Sequence, residues 1–484
     1  MREPKVAVHP PDSRGLREVT LSGKRVGSAW SARDLRRVLT RFGHPRDADL
    51  DDRTSIRWLG GGSDVWPDRR ARRLGVMGLM VAGLAASMVM LVVIGKPDAL
   101  GALTFAGRLT GFLFVIAGLA QGGAAFAALD YWGKREHRFS GVLVLLGVLI
   151  TFAGCFLLLF IWFEEREYTR YALAFFPLFG WSLWGIWLLG RDRVWRGIPH
   201  PRKIAVGVVA TGALAATNLG YSALYQPTST PLVVKVDASF GTPRMDPSRP
   251  VVHLPVTFSA KNTGKVGVYV TNDQYLVQGR ASAYSEKGAG LGEWKKVTLA
   301  QINDVGRYVA GTRVTTIATG PFYGSGAWLE PDEEYRVVKV VQVPARAGFD
   351  SIEAWLNVEL MRKDRGRIDE VRFQEPHYSW EKSAGKMYCP ECDEHTVHHA
   401  RVRHNSNLIN VTRRPRFITA LWWAHPEGSK FWTAITTFDF VRRDEITDRE
   451  VEREAERYGI AFAWTTAAVP FAALPTRPPA QGAE

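Results

Sequence analysis

Between residues 74 and 225 long apolar runs alternate with short polar connections, and the remainder of the chain does not repeat that pattern. Five stretches stand out: Leu74–Ile94, Leu109–Leu129, Gly141–Phe163, Tyr171–Leu189 and Ile204–Tyr225. Each is close to the roughly 20 residues a helix needs to cross a hydrocarbon core. No Asp, Glu, Lys, Arg or His falls inside the five cores. They predict five transmembrane helices. Small residues recur at helical spacing within them, at Gly83 and Ser87, at Gly118 and Gly122, and at Gly212, Ala216 and Gly220. Such ladders let helix backbones approach closely in lipid. They predict helix packing, either within the bundle or between two copies of the chain. Trp181, Trp184 and Trp187 form a lipid-facing or interfacial stripe on the fourth span, and Gln121 and Asn218 are the amides of the span cores.

Charge then orients the spans. The net charge of +14 sits almost wholly in the N-terminal half. Arg69, Arg70, Arg72 and Arg73 precede the first span. Lys134, Arg135 and Arg138 lie between spans two and three, and Arg191, Arg193, Arg196, Arg202 and Lys203 between four and five. The alternate loops are nearly neutral or begin Glu164-Glu165-Arg166-Glu167. Positive loops stay in the cytoplasm, so the expected topology is N-terminus inside and everything after residue 225 outside. The basic excess is thereby accounted for by topology, and nucleic acid is not expected as a partner. The expected partners are the lipid bilayer and, beyond it, a second copy or another membrane protein.

Residues 1–70 read as a small cytoplasmic α/β unit. Arg17–Leu21 predicts a strand. Ser31 is an N-cap for a helix over Ala32–Phe42, with Leu35, Val38 and Leu39 on one face and Gly43 as its stop. Ile56 and Trp58 give a further short strand before a Gly60-Gly61-Gly62 hinge. Asp49, Asp51 and Asp52 read as a solvated acidic turn. Trp66 and the arginines behind it read as an interfacial anchor.

Residues 226–363 change period. Val252, Leu254, Val256, Phe258 and Ala260 alternate with polar positions up to the Asn262-Thr263-Gly264 turn, and Val266, Val268 and Val270 resume the alternation. That pattern predicts a hairpin. Tyr335–Val343 and Ile352–Leu360 predict two more strands, and the glycine-rich Ala281–Gly326 stretch an insertion with its own short helix. The Lys261-Asn262-Thr263-Gly264-Lys265-Val266 turn resembles one found in many bacterial immunoglobulin-like modules. Trp328-Leu329-Glu330-Pro331-Asp332-Glu333 resembles the entry to a late strand in such modules, with Asp332 where glycine is usual. The resemblance implies an extracytoplasmic β-sandwich with a binding or spacer role. The Ala, Arg, Gly and Val-rich composition resembles that of high-GC actinobacteria.

Residues 364–484 read as a small α+β C-terminal domain. Phe417, Leu421, Trp422, Trp423, Phe431, Trp432, Phe438 and Phe440 read chiefly as its core, with stacking on envelope sugars as the other use of such rings. Thr447 and Glu450 form a capping box for a helix ending at Tyr458 and Gly459. Ile460–Leu474 is apolar but short, with Pro470 inside it, and reads as a docked terminal segment. The chain's three cysteines include Cys155, within a span, and one close pair, Cys389 and Cys392, followed by His395, His398, His399 and His404. Tyr388-Cys389-Pro390-Glu391-Cys392 resembles the first knuckle of a zinc ribbon. Cys389, Cys392, His395 and His398 are the candidate zinc ligands, with His399 and His404 as alternates. A Cys389–Cys392 disulfide is the competing expectation.

No phosphate loop, nucleophile elbow or His-Glu-x-x-His motif is present. The architecture expected is thus a five-helix bundle over 71–225 holding a β-sandwich over 226–363 and a C-terminal domain over 364–484 outside the plasma membrane. Its expected role is non-catalytic ligand or partner binding. A membrane enzyme or assembly factor using the Cys389/Cys392 cluster, and a channel or transporter subunit, are the alternatives.

Overall fold

The computed structural model describes residues 6–194 and 232–474, apart from 13–14, 53, 68–69, 104, 134, 136, 138, 289, 291, 293–294, 296–307, 382–393, 424–429 and 438–447. It divides into two compact units, Met1–Ala223 with Ser406–Arg414, and Leu224–Asn405 with Pro415–Glu484. The fifth apolar stretch, with Gly212, Ala216 and Gly220, and the Cys389/Cys392 pair lie outside the described residues.

The first unit opens with a four-stranded sheet of order β3-β2-β1-β4, built from β1 (Val6–Pro11), β2 (Arg17–Leu21), β3 (Lys24–Ala29) and β4 (Ile56–Trp58). β1 runs parallel to β4 and antiparallel to β2. Helix α1 (Ala32–Arg41) covers the sheet, and its Leu35 and Leu39 are buried with Val6, Val8, Val19 and Ile56. The Ser31 hydroxyl accepts from the Asp34 N–H at 3.2 Å, which satisfies one of the open donors of the first turn. The Asp52 carboxylate accepts from the Thr54 N–H and the Ser55 hydroxyl, so the acidic loop is held by local hydrogen bonds. Trp66 differs from expectation. It packs edge-on to Trp58, and the buried Arg17 guanidinium lies over both rings, at 5.1 and 5.3 Å. Arg17 also donates to the Gly60 and Val65 carbonyls at 2.8 and 2.9 Å. Cation–π attraction and two carbonyl acceptors draw Trp66 into this domain.

Four apolar helices follow, each long enough to cross a membrane: α2 (Arg70–Gly101), α3 (Phe105–Trp132), α4 (Ser140–Glu165) and α5 (Ala172–Arg191). α2 continues a turn or more past its expected end and takes in Lys96, Pro97 and Asp98. Small residues set the packing. A Cβ on Gly118 would sit 2.8 Å from Val92, and one on Gly122 3.2 Å from the Met88 sulfur, so both face α2. A Cβ on Gly83 would come within 2.1 Å of the Trp181 ring. Trp181 therefore fills a notch in α2, with its indole N–H donating to the Leu79 carbonyl at 3.2 Å, while Trp187 remains exposed. The tryptophans are not one lipid-facing stripe. Gln121 donates to the Gly147 carbonyl and the Thr151 hydroxyl at 2.9 and 3.1 Å, and Thr151 donates to Ser87 at 3.0 Å. This buried chain ties α3, α4 and α2 together. A short helix from far along the chain, α7 (Asn407–Thr412), belongs to the same unit and buries Leu408 and Val411 among Leu91, Ile94, Leu158 and Phe175.

The second unit is mostly β. One sheet has the order β11-β7-β5, from β5 (Val234–Phe240), β7 (Val251–Asn262) and β11 (Glu334–Pro344), with β6 (Arg244–Met245) on β7. A second has the order β10-β8-β12-β18, from β8 (Val268–Tyr284), β10 (Trp328–Leu329), β12 (Ser351–Arg362) and β18 (Ile460–Pro470), with β9 (Val309–Gly320) on β8. The two sheets share one apolar core that includes Leu254, Val256 and Phe258 of β7 and Ile352, Leu356 and Val358 of β12. β7 and β8 are not a hairpin, because they belong to different sheets. Buried Asn262 bridges that crossing. Its Nδ2 donates to the Val266 and Leu329 carbonyls, and its Oδ1 accepts from the Gly264 N–H at 3.0 Å. Alternation tells which side chains face the core, and it says nothing about the neighbouring strand.

Part of the expected insertion, Val309–Gly320, is a strand on β8. The terminal stretch docks as β18 against β12. Asp332 has φ +65, the left-handed conformation that glycine adopts without steric cost.

A third sheet, of order β13-β15-β16-β17, is built from β13 (Gly366–Ile368), β15 (His395–His404), β16 (Arg416–Trp423) and β17 (Lys430–Thr436), with β14 (His377–Tyr378) on β15. Helices α6 (Glu370–Gln374) and α8 (Asp448–Tyr458) flank it, and Gly459 at φ +64 closes α8. Ile418, Ala420, Ile435, Phe373 and Tyr458 form its core. The described aromatics here do not fill that core. Phe417, Trp422, Trp423 and Phe431 are half-buried and Trp432 is exposed, because smaller side chains take the inward positions. Phe438, Phe440 and Thr447 lie outside the described residues.

Candidate functional site

An extended strand sends successive side chains to opposite faces. β15 accordingly puts His395 and His399 on one face and His398 and His404 on the other. His399 stacks on Phe417 at 5.3 Å, and its Nδ1 bonds to the Thr419 hydroxyl at 2.9 Å. His398 bonds through Nδ1 to the Phe373 carbonyl at 2.8 Å. His395 and His398 are therefore divided by their own backbone, and that pair does not converge on one tetrahedral centre. Among the described residues no group of three or more His, Cys, Asp or Glu side chains is placed to hold a metal.

What β15 does contribute is one wall of a cleft of about 500 Å³. Thr396 and His398 line it together with Tyr378 of β14, Gln374 of α6, Trp422 of β16, Asn272 and Asp273 of β8, and the Tyr323–Gly324–Ser325 turn. That size is typical of small-molecule sites.

The cleft exists because β8 is covered on both faces over Val268–Gln274. Val268 and Val270 point into the two-sheet core and Tyr269 into the core of the third sheet. Polar side chains at 271–274 must then find partners or bear the desolvation cost. Asp273 meets this by holding a turn. Its carboxylate accepts the N–H groups of Phe322 at 3.1 Å, Tyr323 at 2.6 Å and Gly324 at 2.7 Å. Gly324, at φ +110, permits the tight backbone. Burial raises the Asp273 pKa, opposed by the three N–H bonds and by the charge of Lys339. Asn272 donates Nδ2 to the Leu421 carbonyl at 3.1 Å, and Gln374 donates Nε2 to Gly326 at 3.3 Å. Burial lowers the His398 pKa, opposed by the Phe373 carbonyl and helped by nearby His377. The Phe373 carbonyl can only accept, so His398 donates Nδ1–H to it, and burial favours the neutral ring, whose Nε2 is an acceptor.

Two ring pairs stiffen the walls. Tyr323 stacks on Tyr335 with centroids 3.9 Å apart, and Tyr378 on Trp380 at 4.9 Å. A second polar group lies on the same face of the second sheet. Burial raises the Glu359 pKa to about 7, partly offset by the nearby Thr433 hydroxyl, and its Oε2 has no hydrogen-bond partner among the described residues.

Of the cleft's residues, the sequence pattern marks His398 and Trp422 but not Asn272, Asp273, Tyr323, Gln374 or Tyr378. The available signal was the run Thr271-Asn272-Asp273-Gln274, four polar residues in the middle of a β-branched and aromatic strand.

No protein-family model matches the chain, and no curated protein matches it. Solved structures similar to parts of it include a putative ApaA protein from Bordetella pertussis, 12% identical, covering 28% of this chain and 84% of that one with a TM-score of 0.15. Spo0M, a sporulation control protein from Bacillus subtilis, is 10% identical and covers 49% of this chain and 90% of its own with a TM-score of 0.17. Scores this low carry no functional argument.

Proposed function

We propose that this chain is a plasma-membrane protein crossing the bilayer five times, with residues 1–70 in the cytoplasm and an immunoglobulin-like β-rich region outside. It binds a ligand or partner through the cleft at Tyr378 and His398 and catalyses no reaction. The observation that carries this reading is the sorting of contacts between the two ends of the helix bundle. At the end where α2 begins and α3 finishes, Arg73 donates to the Trp132 carbonyl and lies over the Trp30 ring, Trp30 donates to Gly133, and Arg135 pairs with Asp12 at 3.0 Å. At the opposite end the Asn407 N–H reaches both Asp98 oxygens at 2.9 Å, Asn407 Nδ2 donates to the Ile94 carbonyl, and the Arg414 N–H donates to Glu167.

α5 finishes at Arg191, back at the first end. Residues 406–414 bond at the second. An odd number of crossings between these points is the simplest path, and Ile204–Tyr225 is the apolar stretch available for it. The arginine-rich loops favour the first end as cytoplasmic.

The test is thiol labelling in intact cells, with the three native cysteines replaced by alanine. A membrane-impermeant maleimide is expected to label Arg346→Cys directly and Lys24→Cys only after permeabilisation. Protection of both, or labelling in the reverse order, overturns the layout.

A further inference from the structure

We propose that the cleft lined by Tyr323, Tyr378 and Trp422 takes an uncharged saccharide of one or two rings. This names the ligand class for the binding role proposed above and rests on that role. A sugar ring presents two chemistries at once. Its C–H faces are apolar and lie flat on aromatic rings, while its rim carries hydroxyl groups that donate hydrogen bonds.

The cleft offers a counterpart to each. Tyr323, Tyr378 and Trp422 supply aromatic surface. The two tyrosines are already stacked on Tyr335 and Trp380, so little rotamer freedom remains to be lost on binding. The polar groups left over include three uncharged acceptors, beside the Ser325 and Thr396 hydroxyls, which can donate or accept. Asn272 and Gln374 have each committed one amide N–H, to Leu421 and Gly326, which leaves Oδ1 and Oε1 as acceptors and one N–H apiece. His398 has committed Nδ1 to Phe373, which leaves Nε2. Three uncharged acceptors beside aromatic rings suit a ligand that brings several O–H donors.

Charge narrows the class further. Among the described residues no Lys or Arg lines the cleft, so a phosphate or carboxylate would enter without a counter-charge. Asp273, the one carboxylate lining it among the described residues, already accepts three N–H groups from the 322–324 turn, so little of its acceptor capacity is left for an ammonium ligand. An uncharged polyol meets neither obstacle.

The experiment uses the full chain in phospholipid nanodiscs, free of sugar-headed detergent. Saturation-transfer NMR is recorded with N,N′-diacetylchitobiose and with maltose, and with choline as the cationic comparison. Saturation is expected on the ring C–H protons of at least one of the two sugars and not on choline. Trp422→Ala and Tyr378→Ala are each expected to raise that Kd at least tenfold, with His398→Phe as an independent variant should either ring variant fail to melt cooperatively. Trp464→Ala, which alters an exposed ring stacked on Trp355 outside the cleft, is expected to leave the Kd unchanged. Binding of neither sugar, transfer to choline instead, or loss that follows Trp464 overturns the assignment. Sidedness is read separately, by impermeant labelling of Ser325→Cys in intact cells. A cleft that binds sugar but is labelled only after permeabilisation refutes the topology and spares the ligand class. A cleft labelled from outside that ignores both sugars refutes the ligand class and spares the topology.

Discussion

Asp273→Asn tests the cleft's construction most directly. The native carboxylate accepts three backbone N–H groups, one on Oδ1 and two on Oδ2. An amide keeps one oxygen. If it serves Tyr323 and Gly324, the new NH₂ group faces the Phe322 N–H, a donor against a donor in a buried setting. Leaving one buried donor unsatisfied costs about 1–3 kcal/mol. Removing a charge that burial disfavours returns part of this, so the net loss is expected near 1–2 kcal/mol. Asp273→Ala strands all three N–H groups and is expected to cost about 3 kcal/mol or more, unless water enters to replace the carboxylate. The readout is amide hydrogen exchange over residues 320–327 of the full chain. A local loss of about 1.4 kcal/mol corresponds to tenfold faster exchange, so Asn should give roughly a tenfold increase and Ala a larger one, with the third sheet less affected. Unchanged exchange in this segment for the alanine variant, or equal effects of the two variants, would refute the claim that Asp273 holds the turn.

Glu359 gives a pH signature. Its pKa is raised from 4.5 to about 7, so the folded state binds the proton more tightly than the unfolded chain, and stability falls as pH rises from about 4.5 through 7. Glu359→Gln should abolish that slope and gain on the order of 2 kcal/mol at pH 8, read from denaturant midpoints at pH 5 and 8; identical slopes in parent and variant would count against it. Gly83→Leu should drive Trp181 out of its notch and lower the melting temperature in detergent by several degrees, whereas Gly78→Leu, at an open position, should not. Asp332→Gly should stabilise by about 0.5–1 kcal/mol and Asp332→Val should destabilise, since only the first relieves a left-handed backbone, and equal midpoints for all three proteins would contradict that account.

The parts of this fold that were legible in the sequence are those where one local rule decides. α1 needed only a Ser31 cap, an apolar face at Leu35 and Leu39, and a glycine past its end. β7 and β12 announced themselves through period-two alternation, and β11 through its β-branched run closed by Pro344. Pairing did not announce itself. Asn262-Thr263-Gly264 looks like a hairpin turn, yet it passes the chain from one sheet to another, because Asn262 also bonds Leu329, a residue far along the chain. The site was harder still. Its floor is one strand buried on both faces, and its walls come from five other segments separated by up to 150 residues or so along the chain. No local window contains such a site.

Four apolar helices were determined by composition alone, because lipid offers no water to the backbone and so selects long uncharged runs regardless of context. Loop charge predicts an orientation on the same one-dimensional footing. Only the tertiary structure decided that Leu408 and Val411 belong with the helices, that Ile460–Pro470 completes a sheet begun two hundred residues earlier, and that Asp273 serves a turn fifty residues away. Each of those outcomes depends on which surfaces meet after collapse, a property of packing between segments that no single segment carries.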